Sequence, residues 1–248
     1  MSASPLQEGP RLVQMADDAK LPLRLFGGVA IWERSGARMR EALGRDYADV
    51  DLVAHKRQSR PLRDLLEQDG YLPERTFNAT HGASRLLYHA PDGSFHIDVF
   101  LDRFSMSHEL DFSDRLELET LTLPAADLLL AKLQVAEINR KDLTDAAMLL
   151  LDHELADQDG AGKLNAGYLS SVCAGDWGLF TTASDNLEAL EGLSSELPVR
   201  PDEKDELQAR VSELRERLEQ APKSRAWKLR ARIGRRKRWF EVPEEIVR

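Results

Sequence analysis

Two short stretches of the chain alternate apolar and polar residues with the period of a β-strand. In Ala48-Asp49-Val50-Asp51-Leu52-Val53, Val50 and Leu52 fall on one face and Asp49 and Asp51 on the other, since successive strand side chains point to opposite sides. Phe95–Leu101 repeats the grammar, with Ile97 and Val99 apolar and His96, Asp98 and Phe100 opposite. Around them, Leu12, Val13 and Met15 predict a short helix within residues 1–20, and Leu21–Phe26 reads as a buried strand ending at Gly27-Gly28. A helix follows from about Val29 through Trp32 and on to Leu43, and Gly44–Tyr47 turns into the Asp49/Asp51 strand. Pro61–Gln68 predicts an amphipathic helix with Leu62, Leu65 and Leu66 inward, closed by Gly70. Tyr71–Tyr88 reads as two strands around His81-Gly82, and Pro91-Asp92-Gly93 has hairpin-turn chemistry, making the Asp98 strand antiparallel to the one before it. Leu116–Leu123 alternates again and predicts a further strand.

From Pro124 the pattern becomes helical, with proline at the first helical position and Asp127 in the first turn. Leu128, Leu129, Leu133 and Val135 bury one side, and a second helix from about Lys141 to Leu155 turns Leu143, Ala146, Ala147, Leu150 and Leu151 inward. Residues 164–193, with Tyr168, Trp177 and Phe180, complete a small bundle. Leu207, Val211, Leu214 and Leu218 form a seam too short for a coiled coil, suited to packing on the body or on one partner helix. The pattern predicts an α+β protein, a mixed sheet flanked by helices and followed by a helical domain. The expected divisions are residues 1–122, 123–200 and 201–248.

Composition and charge add three things. Cys173 is the only cysteine of 248 residues, so no intrachain disulfide is expected and a reducing, cytoplasmic setting is the simplest. The first 20 residues lack a signal-peptide apolar core, and no run approaches the ~20 apolar residues of a spanning helix, so a membrane is not expected among the partners. The net charge of −9 hides an asymmetry: residues 223–240 hold nine basic residues and no acidic one, leaving 25 basic against 43 acidic residues, a balance of −18, in the remainder.

If the Asp49/Asp51 and Asp98 strands are neighbours, three carboxylates meet in an oxygen-only site suited to a hard cation such as magnesium. Gly27 and Gly28, at a strand-to-helix junction, let backbone approach a ligand closely, and the helix start offers free N–H groups to phosphate. Arg45 lies close enough in sequence to reach a triphosphate bound there, the plainer account being a solvated arginine in a turn.

Gly27-Gly28, then Asp49-x-Asp51, then a lone Asp98 on a later strand, resembles the DNA-polymerase-β-type nucleotidyltransferase superfamily. Within it the chain is most similar to small stand-alone bacterial enzymes: antitoxin-neutralised nucleotidyltransferase toxins and aminoglycoside nucleotidyltransferases. Leu128–Leu133, containing Lys132, followed by Arg140-Lys141-Asp142-Leu143-x-Asp145 is similar to a helical segment of the toxin-like group. The resemblance covers roughly residues 20–155. It departs where the usual Gly-Ser pair is Gly27-Gly28 and where 20 residues separate Gly28 from Asp49. The resemblance implies transfer of a nucleoside monophosphate from a nucleoside triphosphate to a hydroxyl on a small molecule, a protein or RNA, with an antitoxin protein as a further partner. It implies that Asp49 and Asp51 hold magnesium, that Asp98 holds one metal and activates the hydroxyl, and that Gly27, Gly28 and Arg45 meet the nucleotide. Lys132, if its helix faces the site, neutralises the phosphates, with Lys141 and Asp145 as weaker candidates.

Two other readings remain beside it. A protein of the same fold could bind nucleotide without catalysis, or the basic segment 223–240 could be the active part, holding RNA through Arg225, Lys228, Arg232, Arg235 and Arg236 with Trp227 and Trp239. The plainer account of that segment is a helix docked on the acidic body through Trp227, Leu229 and Ile233. The six histidines make no zinc pattern, and no Walker or dinucleotide fingerprint is present.

Overall fold

The computed structural model describes residues 4–242; the ends of the first and last expected domains, residues 1–3 and 243–248, lie outside the described residues. Two compact units emerge. The first comprises Met1–Arg34, Arg45–Phe104 and Leu110–Pro124, the second Ser35–Gly44, Ser105–Glu109 and Ala125–Arg248.

In chain order, α1 (Pro5–Asp18) starts with proline at its first position after Ser4, whose backbone N–H donates to the Gln7 carboxamide at 3.3 Å. β1 (Leu23–Phe26) runs directly into α2 (Gly27–Arg34). The single helix expected as far as Leu43 is two: α3 (Ala37–Leu43) starts afresh because Gly36 adopts extended ψ, its N–H donating to Asp152 Oδ2 at 3.0 Å. β2 (Asp49–Ala54) and α4 (Ser59–Gln68) follow, and α4 stops before Gly70, at φ +93°.

Residues 71–88 hold the two expected strands, but not as a simple pair. β3 is only Leu72–Pro73, α5 (Arg75–His81) intervenes, and β4 is Arg85–His89. The buried Asn78 of α5 explains this: its amide donates to the Leu87 carbonyl at 3.0 Å and accepts from the Leu87 N–H at 2.7 Å. A helical side chain thus serves β4 as a neighbouring strand would. β5 (His96–Leu101) returns antiparallel to β4 through a turn with Gly93 at φ +70°. β6 (Arg103–Ser105) and β7 (Glu109–Asp111) pair as a short ladder.

The strand expected at 116–123 is also absent. Arg24 Nε donates to the Glu119 carbonyl at 2.6 Å, Arg34 holds the Glu119 carboxylate, and these arginines draw the chain into turns. Only a bridge between Leu25 and Thr122 runs beside β1.

The resulting sheet has the order β1-β2-β5-β4-β3, with β2 and β5 parallel and the other neighbours antiparallel. Leu25, Val50, Leu52, Leu86, Ile97 and Val99 form its apolar face and are fully buried, along with Leu12 of α1 and Leu66 of α4. The opposite face carries Phe26 and Phe100, packed edge-on with Phe104 at 4.8 Å each, and the acidic residues.

The second unit is helical: α6 (Ala125–Leu133), α7 (Arg140–Asp152), a parallel ladder of β8 (Glu154–Ala156) and β9 (Lys163–Asn165), then α8 (Ala166–Gly175), α9 (Trp177–Leu193), α10 (Pro201–Gln220) and α11 (Arg225–Ile233). The Leu207–Leu218 seam of α10 is buried against α7, α8 and α9, which settles its partner as this unit's own bundle. No described helix is long and apolar enough to cross a membrane.

Candidate active site

The parallel ladder of β2 and β5 pairs Asp49 with His96 and Asp51 with Asp98. Register partners in adjacent strands point to the same side, so all three carboxylates and the imidazole share one face. β1 lies on the other side of β2, and its last residue, Phe26, is the register partner of Asp51. The chain then bends at Gly27, φ +62°, where a Cβ would stand 2.1 Å from Asp51 Oδ2. That approach admits glycine alone, which brings the start of α2 against the carboxylate.

The acidic face deepens from edge to centre. The Asp49 side chain is 37% exposed and that of Asp98 is 1% exposed. Arg85 of β4 meets Asp98 Oδ1 through both Nε and Nη2 at 2.8 Å, and its guanidinium stacks over Phe100 at 4.9 Å and Phe77 at 5.6 Å. His96 Nε2 stands between Asp49 and Asp98, 3.7 Å from Asp49 Oδ2 and 3.7 Å from Asp98 Oδ2. Arg85 is the residue that reading strand by strand misses. Its signal lies in the hairpin: pairing back from Pro91-Asp92-Gly93 sets Leu87 opposite Asp98 and puts Arg85 on the acidic face, opposite Phe100.

Gly28 and Arg45 come together as well. A Cβ on Gly28 would meet Arg45 Nη2 at 2.7 Å and the Tyr47 ring at 2.9 Å, while the Arg45 guanidinium covers that ring at 4.5 Å. Tyr47 in turn packs edge-on against Trp32 of α2 at 5.9 Å. A Cβ at position 28 would press on this stack.

Lys132 belongs to α6 in the second unit, its ammonium 2.6 Å from Asp142 Oδ1 and 3.0 Å from Asp145 Oδ2. Burial alone would lower its pKa, but Asp145 and Asp142 outweigh it and hold the group above the usual lysine value. Asp145 is fully buried and Lys141 is exposed.

Among the described residues no group of three or more His, Cys, Asp and Glu side chains is gathered to hold a metal ion. The donors on the acidic face nevertheless have the chemistry of a hard-cation site, since Asp49, Asp51 and Asp98 are oxygen ligands on one side of two adjacent strands. Arg85 supplies the positive charge at Asp98 as the side chains stand. Compared with models of protein families and with curated proteins, the chain matches none.

Proposed function

We propose that the chain is a magnesium-dependent nucleotidyltransferase that moves a nucleoside monophosphate from a nucleoside triphosphate to a hydroxyl acceptor. One observation carries the reading: Asp51 and Asp98 are register partners on one sheet face, with Asp49 beside them and a glycine bend against Asp51. Asp49, Asp51 and Asp98 would hold the ion, whose contribution is to offset charge on the attacking and leaving oxygens. The bend at Gly27-Gly28 offers backbone N–H groups to the triphosphate, and Arg45, packed at Gly28, lies beside it. Asp98 accepts the proton of the acceptor hydroxyl as its oxygen bonds to the α-phosphorus and pyrophosphate leaves. Because Asp98 is buried under Arg85 and His96, that proton transfer requires one of them to swing aside. The acceptor is a hydroxyl on a small molecule, a protein or RNA. A single reduced cysteine and the need for a triphosphate pool support a cytoplasmic setting.

The same burial of Asp98 favours a second reading, a nucleotide-binding protein that does not catalyse transfer. Incubation with magnesium and each α-labelled nucleoside triphosphate, alongside total RNA and the protein itself, separates the two. Label in a macromolecule, lost in Asp98→Asn, supports transfer; nucleotide retained without covalent label supports binding alone.

A further inference from the structure

The basic segment has a docked side and an outward side, and the two carry different chemistry. Inward, the Trp227 ring packs edge-on against Phe180 at 5.3 Å, and Arg230 covers the Trp177 ring at 4.5 Å while donating to the Gly234 and Lys237 carbonyls at 2.7 and 2.9 Å. Trp239 packs against Trp177 at 6.0 Å and donates its indole N–H to Thr182 Oγ1, and Arg235 grips both oxygens of Asp185. These contacts hold α11 and the chain after it to the second unit. They also correct the expected docking face, because Leu229 and Ile233 turn away from it, 61% and 41% exposed.

Outward, helical spacing gathers Arg225, Lys228, Leu229, Arg232 and Ile233 on one side, and all five are exposed. Just beyond, Arg236, Lys237 and Arg238 are exposed too. Among the described residues, no carboxylate pairs with any of these six cations. Of the five exposed large apolar side chains among the described residues, three (Leu229, Ile233 and Val242) sit in or next to this segment, which concentrates apolar exposure where positive charge is densest.

We propose that this outward face of α11 docks on the surface of an anionic phospholipid bilayer. Cations with no carboxylate partner among the described residues complement headgroup phosphates, and the Leu229/Ile233 ridge suits the boundary where headgroups meet acyl chains. RNA would use the cations but not the aliphatic ridge. The aromatic rings that would stack on bases, Trp227 and Trp239, are already packed against the protein. The remainder's balance of −18 keeps other surfaces off a negative membrane, so the molecule presents this face to it. The contact is peripheral and salt-sensitive, with two or three aliphatic anchors rather than a spanning helix.

Sedimentation of the full chain with sucrose-loaded vesicles tests it. Binding is expected with equimolar phosphatidylcholine and phosphatidylglycerol and not with phosphatidylcholine alone. The double variant Leu229→Gln/Ile233→Gln should bind at least roughly tenfold more weakly, and Arg225→Glu/Arg232→Glu should not bind. All four positions are exposed, so unchanged thermal unfolding of both variants checks the fold. No sedimentation with anionic vesicles, or full-strength binding by the Leu229→Gln/Ile233→Gln variant, overturns the proposal. Retention of random-sequence RNA without vesicle binding overturns it in favour of nucleic acid.

Discussion

Asp51 and Asp98 stand opposite one another on adjacent parallel strands, with their side chains on one face of the sheet. Like charges in register destabilise a sheet, and Arg85, 2.8 Å from Asp98, is a cation that offsets them. Arg85→Gln is therefore expected to cost about 1–3 kcal/mol of unfolding free energy, less than a fully buried pair because the arginine is 24% exposed. If the carboxylates bind magnesium, millimolar magnesium should stabilise this variant more than the parent. Chemical denaturation with and without magnesium measures both, and equal magnesium responses would count against a cation site on this face.

Transfer itself should depend on the register pair. Asp51→Asn and Asp98→Asn each keep side-chain volume and one acceptor oxygen, yet remove a negative charge. Each is expected to lower the rate of label transfer by at least about a hundredfold. Near-ultraviolet circular dichroism should show the aromatic cluster of Phe26, Phe100 and Phe104 intact. Full activity in either variant would defeat the proposed reaction.

Gly27 and Gly93 separate two costs of losing a glycine. Both have positive φ, +62° and +70°, but a Cβ on Gly93 meets nothing within 4 Å, whereas one on Gly27 runs into Asp51. Gly93→Ala should cost about 1 kcal/mol of backbone strain. Gly27→Ala should cost on the order of 2–4 kcal/mol, and adding Asp51→Ala should recover part of the excess. Additive costs for the Gly27 and Asp51 changes would mean that the bend does not press on the carboxylate.

The α+β class and the faces of β2 and β5 were legible because a buried sheet enforces strict alternation, visible in Asp49–Leu52 and His96–Val99. Where alternation alone was the guide, it misled. Leu116–Leu123 alternates, but Arg24 and Arg34 outcompete strand pairing at Glu119. Residues 75–81 form a helix because Asn78 finds its partners on Leu87, nine residues away. The break at Gly36 depends on Asp152, more than a hundred positions along the chain. Arg85 escaped for a related reason: its place beside Asp98 follows from hairpin register and not from any local motif.

Tyr88 gives a prediction at high pH. Its side chain is fully buried in the sheet's apolar face, and burial pushes the phenol pKa from 10.0 up to about 12. Above pH 10 the unfolded chain releases this proton while the folded one keeps it, so stability should fall as pH rises from 10 towards 12. Tyr88→Phe should lose less stability across that interval, by on the order of 1–2 kcal/mol. Tyr71, also raised by burial, is present in both proteins and does not enter the difference. Urea titrations at either end of the interval test this, and parallel losses would show that Tyr88 ionises in the folded state.

Lys132 is where stability and catalysis can be told apart. Its ammonium is committed to Asp142 and to Asp145, a carboxylate with no exposed surface. Lys132→Met would take the ammonium away from the buried Asp145 carboxylate, at a cost of about 3–5 kcal/mol. Asp145→Asn in the same chain removes that charge, so the double variant should regain most of the lost stability. If the lysine's work is to neutralise its two acidic neighbours, nucleotidyl transfer returns with the fold, and that is the expected outcome. A double variant that unfolds like the parent but transfers no label would instead assign Lys132 to the triphosphate, as the resemblance to the toxin-like enzymes implies. Melting the three proteins and assaying them with the same labelled nucleotide decides between the two roles.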